Sequence, residues 1–157
     1  LWTRNKLKKQ IFFMKKNLID ISHTSYYIIN SDNKIIGNRF AKDMNHKLLL
    51  SSCNIGLSTV IMKKEIITNK IKFANINTKE DYVLWLKITL DNKKIFALKN
   101  NLTKWRKLND SLSASKIQKL YDGYLVYRKY MNFSLAKSFI CLLLLSFNYV
   151  LKGLRNK

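Results

Sequence analysis

Glu80 and Asp81 are the one pair of adjacent carboxylates in the sequence, which holds nine acidic residues against 30 Lys and Arg. An aromatic and aliphatic segment follows them directly, so one of the two carboxylates is expected at the rim of the core. Partial desolvation at such a place raises the pKa of a carboxyl group toward the range of a general base. The alternative is structural, because acids in the first turn of a helix interact favourably with its dipole. Spacing alone leaves both open.

A second polar cluster begins at Trp105-Arg106 and continues through the polar residues 109–113, which include Ser111 and Ser113. A guanidinium beside Ser hydroxyls at a helix N-terminus suits a phosphate group, because its fork and the free N–H groups both bind anions. The alternative is a capped helix with an incidental arginine.

The sequence lacks the motifs of three other kinds of site: a Gly-rich phosphate loop, a zinc site and a serine hydrolase site. The four glycines are scattered along the chain, which excludes a Gly-rich phosphate loop. His23 and His46 have no acid or Cys partner at metal-ligand spacing, so no zinc site is predicted, and His23 is interpreted as a packed residue. No G-x-S-x-G motif points to a hydrolase.

The formal net charge of +21 suggests a polyanionic partner, but its distribution weakens that inference. The basic residues are mainly lysines spread through every segment, and the few arginines lie far apart. Proteins that read nucleic acid concentrate Arg at the bases and phosphates. Nucleic acid is therefore disfavoured, while a membrane surface or a nucleotide diphosphate remains open.

Hydrophobic patterning predicts a mixed α/β fold. Residues 4–17 form a predicted helix with an apolar face at Leu7, Ile11, Met14 and Leu18. A hairpin follows at 19–30 and 35–37, then a short helix at 46–51, a strand at 57–62 and a loop at 63–78. A buried helix is predicted at 81–90, short strands at 95–98 and 102–106, and a helix at 114–131 capped by Ser111 or Ser113.

The C-terminal tail carries an uncharged apolar stretch at residues 138–151, flanked by Lys137 and by Lys152, Arg155 and Lys157. A helix needs about 20 apolar residues to cross a bilayer, so this stretch is predicted to be too short to span. A helix lying on an anionic membrane surface and a helix packed on the core are both compatible with it.

Taken in order, these features resemble the second half of a bacterial family 2 glycosyltransferase of the GT-A type. The resemblance runs over nearly the whole chain, and its strongest part is KEDYVLWL at residues 79–86. The remaining parts are Leu1-Trp2 ahead of the first helix, HTSY at 23–26, NIGLSTV at 54–60 and WRKLNDSLS at 105–113.

The resemblance implies the C-terminal portion of a GT-A mixed sheet with flanking helices, followed by C-terminal amphipathic helices. Residues 1–112 would be the acceptor-binding half that carries the catalytic base, with the nucleotide-binding half absent. Residues 113–157 would be a helical, membrane-associated extension.

By the same resemblance, Asp81 is the general base that deprotonates the acceptor hydroxyl in inverting transfer, and Glu80 supports it. The resemblance also implies substrate contacts from Trp85, Arg106, Ser111, Ser113 and Thr59.

The family requires Mg²⁺ or Mn²⁺, but no Asp in this sequence has another acid two residues away, so metal ligands are not expected in this chain. We therefore expect this polypeptide alone to be inactive. The implied partners are a nucleotide-sugar donor and a glycan or lipid-linked acceptor, in cell-surface polysaccharide or lipopolysaccharide synthesis. The implied location is cytoplasmic, peripheral at the inner face of the plasma membrane. The alternative is a small basic adaptor for membrane or nucleic acid, without catalysis.

Overall fold

The computed structural model describes residues 1–90, 92–108 and 115–154. The helices within these ranges are α1 (Lys6–Lys16), α2 (His46–Leu49), α3 (Glu80–Thr89), α4 (Lys116–Leu125) and α5 (Leu135–Leu154). The strands are β1 (Ile21–Ile29), β2 (Ile35–Arg39), β3 (Ile61–Met62) and β4 (Phe96–Arg106). This mixed sheet with flanking helices confirms the predicted α/β class.

β1 is the central strand, and its β-branched and aromatic composition favours that conformation. It pairs in parallel with β4 along most of its length, and antiparallel with β3 at its start and with β2 at its end. The predicted hairpin is thus confirmed. Its turn is closed by Asn30, whose side-chain oxygen accepts hydrogen bonds from the backbone N–H groups of Asp32 and Lys34 at 3.0 and 2.9 Å.

α3 forms the centre of the hydrophobic core, as its apolar residues on every side predict. Its side chains from Tyr82 to Leu86 are all buried. Full burial stabilises the fold by about 1.5–3 kcal/mol for each large apolar side chain. The Tyr82 hydroxyl donates to the Leu49 carbonyl and lies 2.9 Å from the Tyr127 hydroxyl, which ties α3 to α2 and to the π-helical turn Val126–Tyr130.

Two strand predictions change in the structure. The two short strands expected at 95–98 and 102–106 are one strand, β4, because register shifts against β1 absorb the polar residues between them. The strand expected at 57–62 is reduced to β3, since Leu57–Thr59 forms a 3₁₀ turn. That turn is held by Thr59, whose N–H and hydroxyl both donate to the Gly56 carbonyl, at 2.9 and 2.6 Å.

The buried face of α1 differs from the predicted one. Lys6, Gln10 and Met14 are buried, whereas Leu7 and Ile11 are exposed and Leu18 is 92% exposed. Gln10 explains the rotation, because its side-chain amide donates to the Ser22 carbonyl and hydroxyl and to the Thr59 carbonyl at 3.0–3.1 Å. A buried polar group needs hydrogen-bond partners, and Gln10 has them on the inner side of α1, so this face of the helix can be buried.

The C-terminal part is helical, as predicted. α4 is capped by Ser115, whose hydroxyl oxygen accepts a hydrogen bond from the N–H of Gln118 at 3.2 Å. The predicted caps Ser111 and Ser113 lie outside the described residues. The division at residues 112 and 113 stays a prediction.

α5 is longer than the uncharged stretch that predicts it. By length and composition, Leu135–Lys152 could cross a membrane, which differs from the expectation that the tail is too short. Only 11% of this window is buried against the rest of the protein. Cys141 and Leu142 lie on its inner side, while a row of large apolar side chains is exposed.

Candidate active site

A cleft of about 630 Å³ lies where the start of α3, the 3₁₀ turn and the sheet meet. Its walls are formed by Tyr26, Gly56, Leu57, Ser58, Thr59, Asn77, Thr78, Lys79, Glu80, Asp81 and Trp105. Three of the seven predicted site residues, Glu80, Asp81 and Thr59, are therefore brought together here.

Asp81 has the electrostatic character expected of a base. Burial, and then the negative charge of Glu80, raise its pKa from 3.8 to about 6. Hydrogen bonds from the backbone N–H groups of Tyr82 and Asp81 and the nearby Lys79 oppose this rise without cancelling it. A carboxylate with a pKa near the working pH both accepts and releases a proton readily. The expectation that one carboxylate lies partly desolvated at the rim of the core is confirmed for Asp81.

Thr59 lines the cleft but is almost completely buried. Its hydroxyl already donates to the Gly56 carbonyl, and its own carbonyl accepts from Gln10. Thr59 therefore shapes the cleft wall. A Cβ at Gly56 would lie 3.3 Å from Cε1 of Tyr26, so a side chain there would press against the Tyr26 ring.

Arg106 does not reach the cleft. Its Nη1 donates to the carbonyls of Asn30 and Ser31 at 3.0 and 2.7 Å, and its Nη2 donates to Oδ1 of Asn33 at 2.7 Å. The guanidinium thus binds the β1–β2 turn, and the predicted substrate contact is corrected to a structural one. The predicted phosphate site also needs Ser111 and Ser113, which lie outside the described residues.

The position of Trp85 also contradicts its predicted contact with substrate. Its ring is 0% exposed in the core beneath the cleft-lining start of α3, so it cannot contact a substrate there. The reason is the apolar character of α3 on every side, which leaves only Glu80, Asp81 and Lys87 of this helix partly exposed.

Two aromatic cleft residues were missed by the site prediction. Trp105 is 43% exposed in the cleft, and Tyr26 stands beside it on the sheet. The register pairs Tyr26 with Thr103 and Ile28 with Trp105, so alternation along both strands puts the two aromatic rings on one face. Both residues stand in the segments that carry the family resemblance.

Comparison with known proteins identifies the relatives of this chain. No protein-family model matches it. The Escherichia coli protein WfgD, a UDP-Glc:alpha-D-GlcNAc-diphosphoundecaprenol beta-1,3-glucosyltransferase, is 33% identical over 158 residues, which cover 99% of this chain and 59% of WfgD. The chain is similar to the C-terminal part of bacterial glycosyltransferases.

Two further glycosyltransferases are similar to this chain over the same region. WfaP of Escherichia coli, whose name gives the same reaction, is 37% identical over 123 residues, covering 76% of this chain and 47% of WfaP. TuaG of Bacillus subtilis, a putative teichuronic acid biosynthesis glycosyltransferase, is 26% identical over 155 residues, covering 98% of this chain and 61% of TuaG. The chain thus spans about half to three fifths of these curated relatives and matches their C-terminal part.

A divalent metal ion is expected for a complete glycosyltransferase, but the described part of this chain holds no set of side chains that could bind one. Across residues 1–90, 92–108 and 115–154, no three His, Cys, Asp or Glu side chains are grouped so that they could hold an ion. Glu80 and Asp81 stand as a pair only, so we derive no metal-dependent step from these residues.

Proposed function

We propose that this glycosyltransferase chain supplies the acceptor-binding side and the catalytic base of an inverting, family 2, GT-A-type sugar transfer. The observation that carries the proposal is Asp81, a carboxylate with a pKa of about 6 in the wall of a cleft. The flanking Trp105 and Tyr26 rings suit the apolar face of a sugar, while Asp81 suits its hydroxyl groups.

The chemistry follows from the position of Asp81. An acceptor hydroxyl within hydrogen-bond distance loses its proton to the Asp81 carboxylate as its oxygen attacks the anomeric carbon of the donor. The new C–O bond forms while the bond from that carbon to the diphosphate oxygen breaks on the opposite face, so the configuration inverts. Glu80 does not receive the proton; its negative charge supports Asp81 by increasing that residue's affinity for it.

The proposed substrates follow from the relatives. WfgD and WfaP are named for UDP-Glc as donor and a diphosphoundecaprenol-linked GlcNAc as acceptor. We propose the same classes here, a nucleotide sugar and a lipid-linked glycan, in cell-surface polysaccharide or lipopolysaccharide synthesis. A requirement for Mg²⁺ or Mn²⁺ would have to be met by ligands other than the described residues of this chain.

The proposed location is the cytoplasmic face of the plasma membrane, with α5 lying on its surface. Phe139, Ile140, Leu143 and Phe147 form an exposed apolar row along α5, and Lys137 stands near its start. Apolar side chains with basic neighbours are typical of helices at an anionic lipid surface. A peripheral position there would bring the protein to the bilayer that holds a lipid-linked acceptor.

The experiment is a chimera in which this chain replaces the matched region of WfgD, assayed with radiolabelled UDP-glucose and GlcNAc-diphosphoundecaprenol. We expect EDTA-sensitive transfer, and a loss of about 10²- to 10⁴-fold in kcat for Asp81→Asn, the range contributed by a positioned base. The matched control is Asp20→Asn, since Asp20 is an exposed carboxylate that pairs with the exposed Lys63 at 2.6 Å. Equal kcat for the Asp81→Asn and wild-type chimeras would contradict the proposal, and so would a folded chimera that binds UDP-glucose and transfers nothing.

A further inference from the structure

The loop before α3 is hydrogen-bonded to α4 through the buried carboxylate of Asp122. Oδ2 of Asp122, on α4, accepts hydrogen bonds from both the backbone N–H and the hydroxyl of Thr78, at 2.8 and 2.7 Å. Its Oδ1 accepts a third from Nε2 of Gln118 at 3.0 Å. Asp122 is only 2% exposed, and burial of a charge is tolerated where hydrogen bonds satisfy it. The contact therefore joins residues 44 positions apart with strong, charge-assisted bonds.

The residue that follows Thr78 has an unfavourable backbone conformation. Lys79 adopts φ 68° and ψ 18°, the left-handed region, although it is not a glycine. It also occupies the N-cap position of α3 without donating or accepting a capping hydrogen bond through its side chain. Such conformations persist where surrounding contacts hold them, and they cluster at functional sites. Lys79 directly precedes Glu80 and Asp81, so its conformation sets the direction in which the carboxylate pair leaves the loop.

The side chain of Lys79 lies beside α4 at the residue next to Asp122. The neighbour of Asp122 is Gly123, and a Cβ at that position would lie 3.4 Å from Cε of Lys79 and 2.8 Å from Cδ1 of Leu142. The lysine stem thus passes across α4 where a side chain is missing. Asp122 thus binds Thr78 by hydrogen bonds, and the neighbouring Gly123 leaves room for the side chain of the next loop residue, Lys79.

We propose that Asp122 is a positioning residue for the catalytic carboxylate: by binding Thr78 it holds Lys79 in its left-handed conformation and keeps Asp81 in the cleft wall. The structural part of this inference stands on the contacts alone, and its enzymatic consequence rests on the proposed function. α4 then contributes to the site, although Asp122 lies 41 positions after Asp81 in the sequence.

A residue that only stabilises the fold would lower the melting temperature and leave the environment of Asp81 unchanged in the folded protein. A positioning residue changes that environment. Release of Thr78 lets the first turn of α3 fray, which exposes Asp81 to water and lowers its pKa toward the ordinary value of 3.8.

The test compares Asp122→Ala with wild type in the 157-residue chain at a temperature where both are folded. The readouts are ¹³C NMR titration of the Asp81 carboxyl and hydrogen exchange of the Thr78 and Val83 amides, whose acceptors are the Asp122 carboxylate and the Lys79 carbonyl. For Asp122→Ala we expect at least tenfold faster exchange at both amides and a fall of about one unit in the Asp81 pKa. Gln118→Ala is the matched control, because it removes a partner of the same carboxylate and leaves Thr78 bound.

If Asp122→Ala does not fold, Asp122→Asn and Thr78→Val give the same comparison, since each removes one part of the contact while keeping its volume. A folded Asp122 or Thr78 variant with unchanged Asp81 titration and unchanged exchange would overturn the proposal. In the WfgD chimera, Asp122→Asn should lower kcat at least tenfold with little change in the KM for UDP-glucose. An inactive wild-type chimera would count against the proposed function, while the NMR measurements would still decide the role of Asp122.

Discussion

Trp105 and Arg106 are adjacent on β4 and serve opposite sides of the sheet. Trp105 lines the cleft with Asp81, whereas Arg106 donates three hydrogen bonds to the β1–β2 turn. Alternation along a strand requires this separation, because successive side chains point to opposite faces. A dipeptide that looks like one functional unit in the sequence is therefore divided between a binding surface and a structural contact.

Arg106→Ala should destabilise the chain by about 1–2 kcal/mol, since three hydrogen bonds from a charged donor are lost at a partly exposed site. Arg106→Lys should recover little, because an ammonium cannot reproduce the guanidinium fork. Urea unfolding measures both, with Lys99→Ala as control, which removes an exposed charge from the same strand. Normal stability together with a lost phosphate affinity would show that Arg106 is a ligand-binding residue after all.

Trp105→Ala should weaken binding of an acceptor sugar by about 0.5–1.5 kcal/mol, roughly 2- to 13-fold, with little effect on stability. The reason is that its indole is half exposed in the cleft and a sugar ring would cover it. NMR titration with a GlcNAc glycoside measures the affinity. Phe40→Ala is the control, because Phe40 is an exposed aromatic residue outside the cleft lining. An equal loss in both variants would argue against a Trp105 subsite.

Asp81→Asn should stabilise the chain at neutral pH. The folded pKa of Asp81 is about 6 against 3.8 unfolded, so the folded state favours the protonated form. The stability from this group is complete below pH 3.8 and is lost as the pH rises through about 6. The amide replaces the ionised form without that loss, which predicts a gain of about 1–3 kcal/mol at pH 7 that vanishes near pH 3.5.

The measurement for Asp81→Asn is urea unfolding across pH 3.5–8. Asp81 interacts electrostatically with four neighbouring groups, and the variant retains all of them: Glu80, Lys79, Tyr26 and Cys53. Asp20→Asn serves as control, since an exposed ion pair contributes little. Destabilisation of Asp81→Asn at pH 7 would mean that the ionised carboxylate supports the fold, as in an ordinary helix N-terminus.

The parts of the site that the sequence predicts are those set by neighbours along the chain. Adjacent acids before a helix that is apolar on every side predict that one of the two carboxylates lies at the rim of the core, and the structure shows a strongly desolvated Asp81 there. The predicted substrate contact of Trp85, in the same helix, is wrong, because a side chain buried on all sides cannot touch a substrate.

The parts that could not be predicted depend on contacts between distant residues. Gln10 is buried in place of Leu7 and Ile11 because its partners, Ser22 and Thr59, come from β1 and the 3₁₀ turn. Likewise, alternation predicts that Trp105 and Arg106 diverge, but the register with β1 decides which of them faces the cleft. Hydrophobic periodicity carries neither kind of information.

The apolar row on α5 should bind anionic lipid. Replacement of Ile140, Leu143 and Phe147 by Ser should reduce binding to phosphatidylglycerol vesicles at least tenfold in a flotation assay, because the exposed apolar surface drives insertion. Leu18→Ser and Phe40→Ser are the controls, since both remove exposed apolar groups elsewhere. Unchanged vesicle binding by the triple variant, or no vesicle binding by wild type, would contradict a membrane role for α5.

A measured pKa of Asp81 decides whether this residue is suited to be the catalytic base, because the proposed chemistry needs a carboxylate whose pKa the fold has raised. ¹³C NMR titration of the Asp side chains in the 157-residue chain, with Asp81→Asn to assign the resonance, measures it between pH 2.5 and 9. We expect a midpoint of about 6 for Asp81. A midpoint near 3.8, the ordinary value for an aspartate, would contradict it.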